Sequence, residues 1–178
     1  MKKLLLFLFL LPATFVLHAQ DGSVRMRYSN DASEWSIDAC GGGTIRERYS
    51  HDMSDWAVDI DGNSGSVRTR YSNDFSEWSI EINGKTYTLH TRYSNDYSEW
   101  SLSGGDLSGD VTIRTRYSGD FSSWQMSGGG VDIEMRERYS NDYSDWSISG
   151  CSSSVSAGAK VAAAFIPVMV ATGIVKKQ

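Results

Sequence analysis

Six near copies of one short segment fill the middle of the chain, and that repetition restricts the fold more than any other feature. Arg-x-Arg-Tyr-Ser-Asn-Asp-x-Ser-Glu-Trp-Ser-Ile, or a close variant, begins at Arg25, Arg46, Arg68, His90, Arg114 and Arg136. The six tryptophans (Trp35, Trp56, Trp78, Trp100, Trp124, Trp146) mark one position per copy, 21 to 24 residues apart. All eleven arginines also lie inside the copies. Trp and Arg confined to repeated positions build a regular scaffold, because each repeat must bury its apolar face on a neighbour.

The third copy shows what one unit is. Val67-Arg68-Thr69-Arg70-Tyr71 and Trp78-Ser79-Ile80-Glu81-Ile82 alternate apolar and polar residues with period two, the pattern of half-buried strands. Between them, Ser, Asn and Asp bond their own backbone in turns. Links such as Gly41-Gly42-Gly43, Asp61-Gly62, Asn83-Gly84 and Gly128-Gly129-Gly130 separate the copies. Each copy is therefore predicted to be a β-hairpin, and six hairpins make twelve antiparallel strands. A four-residue loop, Asn73 to Ser76, would set Tyr71 opposite Trp78. Val67, Tyr71, Trp78 and Ile80 would then share the apolar face, and Arg68, Arg70, Glu77 and Ser79 the other. The arginine rows beside Glu34, Asp55, Glu77, Glu99 and Asp145 read as a solvated charge ladder that discourages edge pairing. One column breaks the pattern. Met26, Glu47, Thr69, Thr91, Thr115 and Glu137 fall on the apolar face, where a glutamate needs the rim, water or a cation.

The ends of the chain differ from the repeats. Lys2 and Lys3, the apolar run Leu4–Leu11 and Val16-Leu17-His18-Ala19 before a polar start have the form of a signal peptide over residues 1–19. This predicts an exported protein: periplasmic, at the cell surface or secreted. Without Lys2 and Lys3 the chain has 15 basic and 22 acidic residues, a net charge of about −7. Such a balance argues against nucleic acid as a partner. Residues 20–151 form the repeat domain and 152–178 a linker and an apolar segment.

Two cysteines occupy equivalent places, Cys40 five residues after Trp35 and Cys151 five after Trp146. In an exported chain a disulfide is the expected state. Ten strand spacings would hold the two about 48 Å apart in an open sheet, whereas a disulfide spans at most about 7 Å between Cα atoms. One bridge therefore requires a closed barrel; free or intermolecular thiols would fit an open meander or a two-sheet sandwich. A twelve-stranded barrel tilted by about 40° leaves a tube about 10–12 Å wide inside its side chains, the width of one helix. Residues 155–175 supply an apolar segment that fits the tube, and Lys160 is placed to meet Glu47 or Glu137 there. The same segment also reads as a membrane anchor, followed by Lys176 and Lys177. An outer-membrane barrel needs strands of about 9–11 residues, longer than this repeat allows.

In strand count, order and hydrophobic C-terminal segment, the architecture resembles the tubby-like group, which includes LURP-one-related and scramblase proteins. The resemblance covers the whole mature chain and implies a closed twelve-stranded barrel around its last helix. It also implies lipid or phosphoinositide binding, known in parts of that group.

No catalytic constellation is legible, so a non-enzymatic structural or binding role is expected. His51 and His90 are isolated and form no metal or triad spacing. Ser72-Asn73-Asp74-Phe75-Ser76-Glu77-Trp78 looks like the Asp-box hairpins of sialidases, in which the motif is a structural turn. The turn carboxylates Asp31, Asp52, Asp74, Asp96, Asp120 and Asp142 cap such turns, and as a rim of oxygen ligands they are also candidate calcium sites. Phe75, Tyr97, Phe121 and Tyr143, beside those turns, are candidate contacts for a protein or glycan partner, or equally pack within their hairpins. Protein, glycan and lipid all remain open as partners, with a membrane engaged through residues 155–175 in the anchor reading.

Overall fold

The computed structural model describes residues 21–176; the signal-peptide reading of residues 1–19 lies outside them. Twelve strands follow in order: β1 (Gly22–Tyr28), β2 (Asp31–Ile37), β3 (Gly43–Glu47), β4 (Asp55–Ile60), β5 (Asn63–Tyr71) and β6 (Asp74–Ile82). Then come β7 (Lys85–Tyr93), β8 (Asp96–Gly104), β9 (Val111–Tyr117), β10 (Asp120–Gly128), β11 (Val131–Tyr139) and β12 (Asp142–Ser149). Each pairs antiparallel with its sequence neighbours, and β1 pairs with β12, with Gly22 opposite Ile148 and Arg25 opposite Asp145. The sheet is a closed barrel. Cys40 and Cys151 are bonded across that last seam, their Cα atoms 5.1 Å apart.

The two rims are built by different turns. At one, Asp61-Gly62, Asn83-Gly84 and Gly129-Gly130 have positive φ at both residues, the two-residue hairpin geometry that matches strand twist. At the other, the repeat's Ser-Asn pair turns the chain, and only the second residue is left-handed (Asn30, His51, Asn73, Asn95, Gly119, Asn141). The latter is called the hairpin rim below.

There the register departs from the expected one. The loop is two residues, not four, so Tyr71 sits opposite Asp74 and Trp78 opposite Thr69. The surplus residues form a bulge in β6, repeated in the hairpins β1–β2, β7–β8, β9–β10 and β11–β12. Tyr71 therefore leaves the apolar face and is exposed, as are the other five tyrosines of its column. The physical reason is local bonding. The Asp74 carboxylate takes the N–H of Ser76 at 2.8 Å, and the indole N–H of Trp78 donates to the Phe75 carbonyl at 2.9 Å. The bulge is thus satisfied by its own residues, and a longer loop would leave those groups without protein partners.

All six tryptophans are completely buried inside the barrel. The tube is filled by α1 (Ala157–Ala171), capped by Ser156 and buried continuously from Gly158 to Val170, with a short 3₁₀ turn, η1 (Ile174–Lys176), behind it. Phe165 packs edge-on between Trp56 and Trp78, ring centroids 5.8 and 5.0 Å away. Gly158 lies where a Cβ would be 2.5 Å from the Tyr87 ring, so the helix enters against an aromatic wall. Of the two readings of residues 155–175, the barrel core is the one observed. Among the described residues no helix is long and apolar enough to cross a membrane.

Lys160 does not meet Glu47 or Glu137. Its ammonium pairs with Asp61 at 2.6 Å, its side chain only 4% exposed. Lys160 is in the first turn of α1 at the Gly-turn rim, whereas both glutamates sit near the hairpin rim at the other end. Each of those glutamates instead caps its own turn: Glu47 accepts from the His51 N–H at 3.2 Å and Glu137 from the Asn141 N–H at 2.5 Å.

Candidate functional site

The repeated motif concentrates its chemistry at the hairpin rim, where the first task is to close a turn. In every copy the aspartate accepts the backbone N–H of the serine two residues on, at 2.8–3.0 Å. The serine hydroxyl, then its backbone N–H, hold Asp31, Asp52, Asp74, Asp96, Asp120 and Asp142 below the ordinary carboxylate value of 3.8. The indole N–H of each tryptophan donates to the carbonyl of the residue after that aspartate, at 2.8–2.9 Å. The carboxylates are thus distributed one per turn and engaged locally. Among the described residues no group of three or more His, Cys, Asp or Glu is placed to hold a metal ion.

The candidate contact residues stand beside the turns and pack within their hairpins. Phe75, Tyr97, Phe121 and Tyr143 are half-buried against the core. Each ring packs on the tryptophan of its own hairpin, with centroids 5.8–6.1 Å apart. They are lids on the core. The exposed aromatics are Tyr28, Tyr49, Tyr71, Tyr93, Tyr117 and Tyr139, between 52% and 66% accessible. Five of them end the first strand of a hairpin and Tyr49 follows the end of β3 by two residues, so barrel closure sets all six around one rim, beside the Ser-Asn tips. The sequence carried one signal of this: Tyr is invariant across the copies, whereas the lid position varies as Ala32, Met53, Phe75, Tyr97, Phe121 and Tyr143.

The outer wall is charged and mostly self-paired. Arg27 meets Glu34 at 2.6 Å, Arg70 meets Glu77 at 2.7 Å and Arg92 meets Glu99 at 3.0 Å. Asp55 is shared by Arg48 and Arg68, and Asp145 by Arg138 and Arg25, which ties neighbouring hairpins across their seams. In the fifth copy Ser123 replaces the acid and Arg116 turns to Glu134 at 2.9 Å. Exposed pairs of this kind contribute at most about 1 kcal/mol each.

The opposite rim is a set of fastenings. Besides the disulfide and the Lys160–Asp61 pair, the Tyr87 hydroxyl donates to Asp106 at 2.5 Å while Lys85 holds the other carboxylate oxygen at 2.6 Å. Burial first, and then Asp106, push the Tyr87 phenol above its ordinary pKa. His51 belongs to a turn and bonds Ser50. His90 faces Glu77 and Ser101 across its two strand pairings. These groups hold turns, helix and sheet in place. Compared with known proteins, the chain matches no protein-family model, no curated protein and no solved structure.

Proposed function

We propose that this is an exported, non-enzymatic binding scaffold that meets its partner with the hairpin rim. The observation that carries the reading is the ring of six tyrosines. Each is more than half exposed, and none belongs to the buried core. Tyr offers a large amphipathic contact surface at small entropic cost, and Ser and Asn beside it supply adaptable hydrogen bonds. Successive hairpins lie two strand spacings apart, roughly 10 Å, so a partner with repeating units would engage several at once and gain by multivalency. The disulfide fits an oxidising compartment, in keeping with the leader read in residues 1–19. The resemblance to the tubby-like group read from the sequence adds anionic lipid to the partners worth testing.

The test is the triple variant Tyr71→Ser, Tyr93→Ser, Tyr117→Ser against wild type, on immobilised polysaccharides, matrix proteins and anionic vesicles. The expected result is a melting temperature changed by no more than about 3 °C, with binding to the recognised class weakened at least tenfold. Undiminished binding, or a variant that melts more than about 10 °C lower, would assign the tyrosines to the fold and sink the proposal.

A further inference from the structure

The hairpin rim is not uniform. Inside the six exposed tyrosines runs the ring of lid residues, aromatic from Phe75 through Tyr97 and Phe121 to Tyr143. In the first hairpin the lid is Ala32. A cleft of about 710 Å³ opens there between the first and last hairpins. Its floor is Met26, Ala32 and Ala171, the end of α1; Tyr28 and Tyr143 bound it, and Ser29, Asn30, Asn141 and Ser144 edge it.

We infer that this cleft binds a short neutral oligosaccharide, an inference that rests on the hairpin rim being the contact face. The volume falls in the range of small-ligand sites. A sugar ring has an apolar C–H face and a girdle of hydroxyls that both donate and accept. The tyrosine rings suit the first, and the Asn amides and Ser hydroxyls suit the second. The charge of the described lining favours a neutral ligand. Among the described residues no Lys or Arg lines the cleft to hold an anion. Asp142, the single acid among them, already accepts both the N–H and the hydroxyl of Ser144. A peptide adding as a strand needs a free sheet edge, and the barrel is closed. The cleft exists because copy one alone has a methyl group where other copies carry a larger lid. It is the place where six repeated turns yield one distinct site.

The decisive variant fills the cleft with the chain's own solution. Met26→Thr with Ala32→Phe installs the Thr69 and Phe75 pair of the third copy at the matching positions, where the fold accommodates it. Binding of neutral hexasaccharides of glucose, mannose, galactose and N-acetylglucosamine would be measured by saturation-transfer NMR and calorimetry. We expect at least one to bind wild type and to bind the filled variant at least tenfold more weakly. If the filled variant melts lower than wild type, Tyr28→Ala reads the same cleft by removing an exposed wall, again with a tenfold loss. Equal binding to wild type and the filled variant would overturn the inference. Loss confined to the Tyr71, Tyr93, Tyr117 triple variant would overturn the cleft yet support the rim. If wild type binds none of the four sugars the cleft proposal fails, while the rim reading still stands or falls on the protein and vesicle arms of its own test.

Discussion

The aspartate of each turn carries more of this protein than its small size suggests. It accepts two hydrogen bonds from the serine two residues on, and those bonds stabilise its charged form. Because the folded carboxyls titrate below 3.8, their contribution is fully present above that value and is lost as pH falls through the lower folded pKa. Thermal stability should therefore show no loss from this source above about pH 5 and a decline below about pH 4. Asp74→Asn, Asp96→Asn and Asp120→Asn together should flatten that acid limb; an unchanged profile would mean the turns do not govern it. Glu137 is the contrasting case. One of its carboxylate oxygens is buried without a hydrogen-bond partner, a loss of about 1–3 kcal/mol. Glu137→Thr, the residue of copies three to five, removes it and gives up one bond to the exposed Asn141 N–H. The expected gain is about 1 kcal/mol, or roughly 2–4 °C in melting temperature, read by calorimetry.

Among the elements, the bulged hairpin and the central helix were unequally legible. Strand existence, the inward column of tryptophans and the charged outer wall follow from period-two alternation, and the structure has all three. The bulge does not follow, because its cause is a set of side-chain-to-backbone bonds that alternation does not encode. Two residues absorbed there moved tyrosine from the core to the rim and set the lid aromatics half-buried on their tryptophans. The helix shows the same division. Its apolar circumference was plain in the sequence, whereas its tight entry past Tyr87 was not. Gly158→Val should cost about 2–3 kcal/mol by overpacking that wall, with partial rescue by Tyr87→Leu in a double-mutant cycle; additive losses would show that the two residues do not share the contact. Phe165→Ala, which empties the space between Trp56 and Trp78, should cost about 3–5 kcal/mol, measured by denaturant unfolding.

For the molecule as a whole, closure is the controlling event. A twelve-stranded antiparallel sheet left open would expose two edges; pairing β1 with β12 removes both and encloses the helix. The bridge between Cys40 and Cys151 spans 111 residues, a loop long enough for a substantial effect on the unfolded chain. Cys40→Ser with Cys151→Ser should lower stability by about 2–5 kcal/mol, a fall of about 5–15 °C in melting temperature, and reductant should reproduce it in wild type. A melting temperature indifferent to both would mean that strand pairing and the helix alone hold the seam.

Composition and periodicity were enough to determine six hairpins and the faces of their tryptophan and arginine columns, and the two cysteine positions made a closed ring necessary if one bridge joins them. Those properties rest on local alternation and on one distance constraint, and both are written residue by residue. Three matters awaited the assembled barrel. Which aromatic column faces solvent depends on a bulge of two residues, and a slip of that size is invisible to a period of two. Lys160 finds Asp61 because entry at the Gly-turn rim fixes which end of the tube its turn occupies. The apolar segment lies in the barrel because the closed sheet offers it a tube of its own width. A hydrophobic run states only that it must leave water; the surrounding structure decides where it goes.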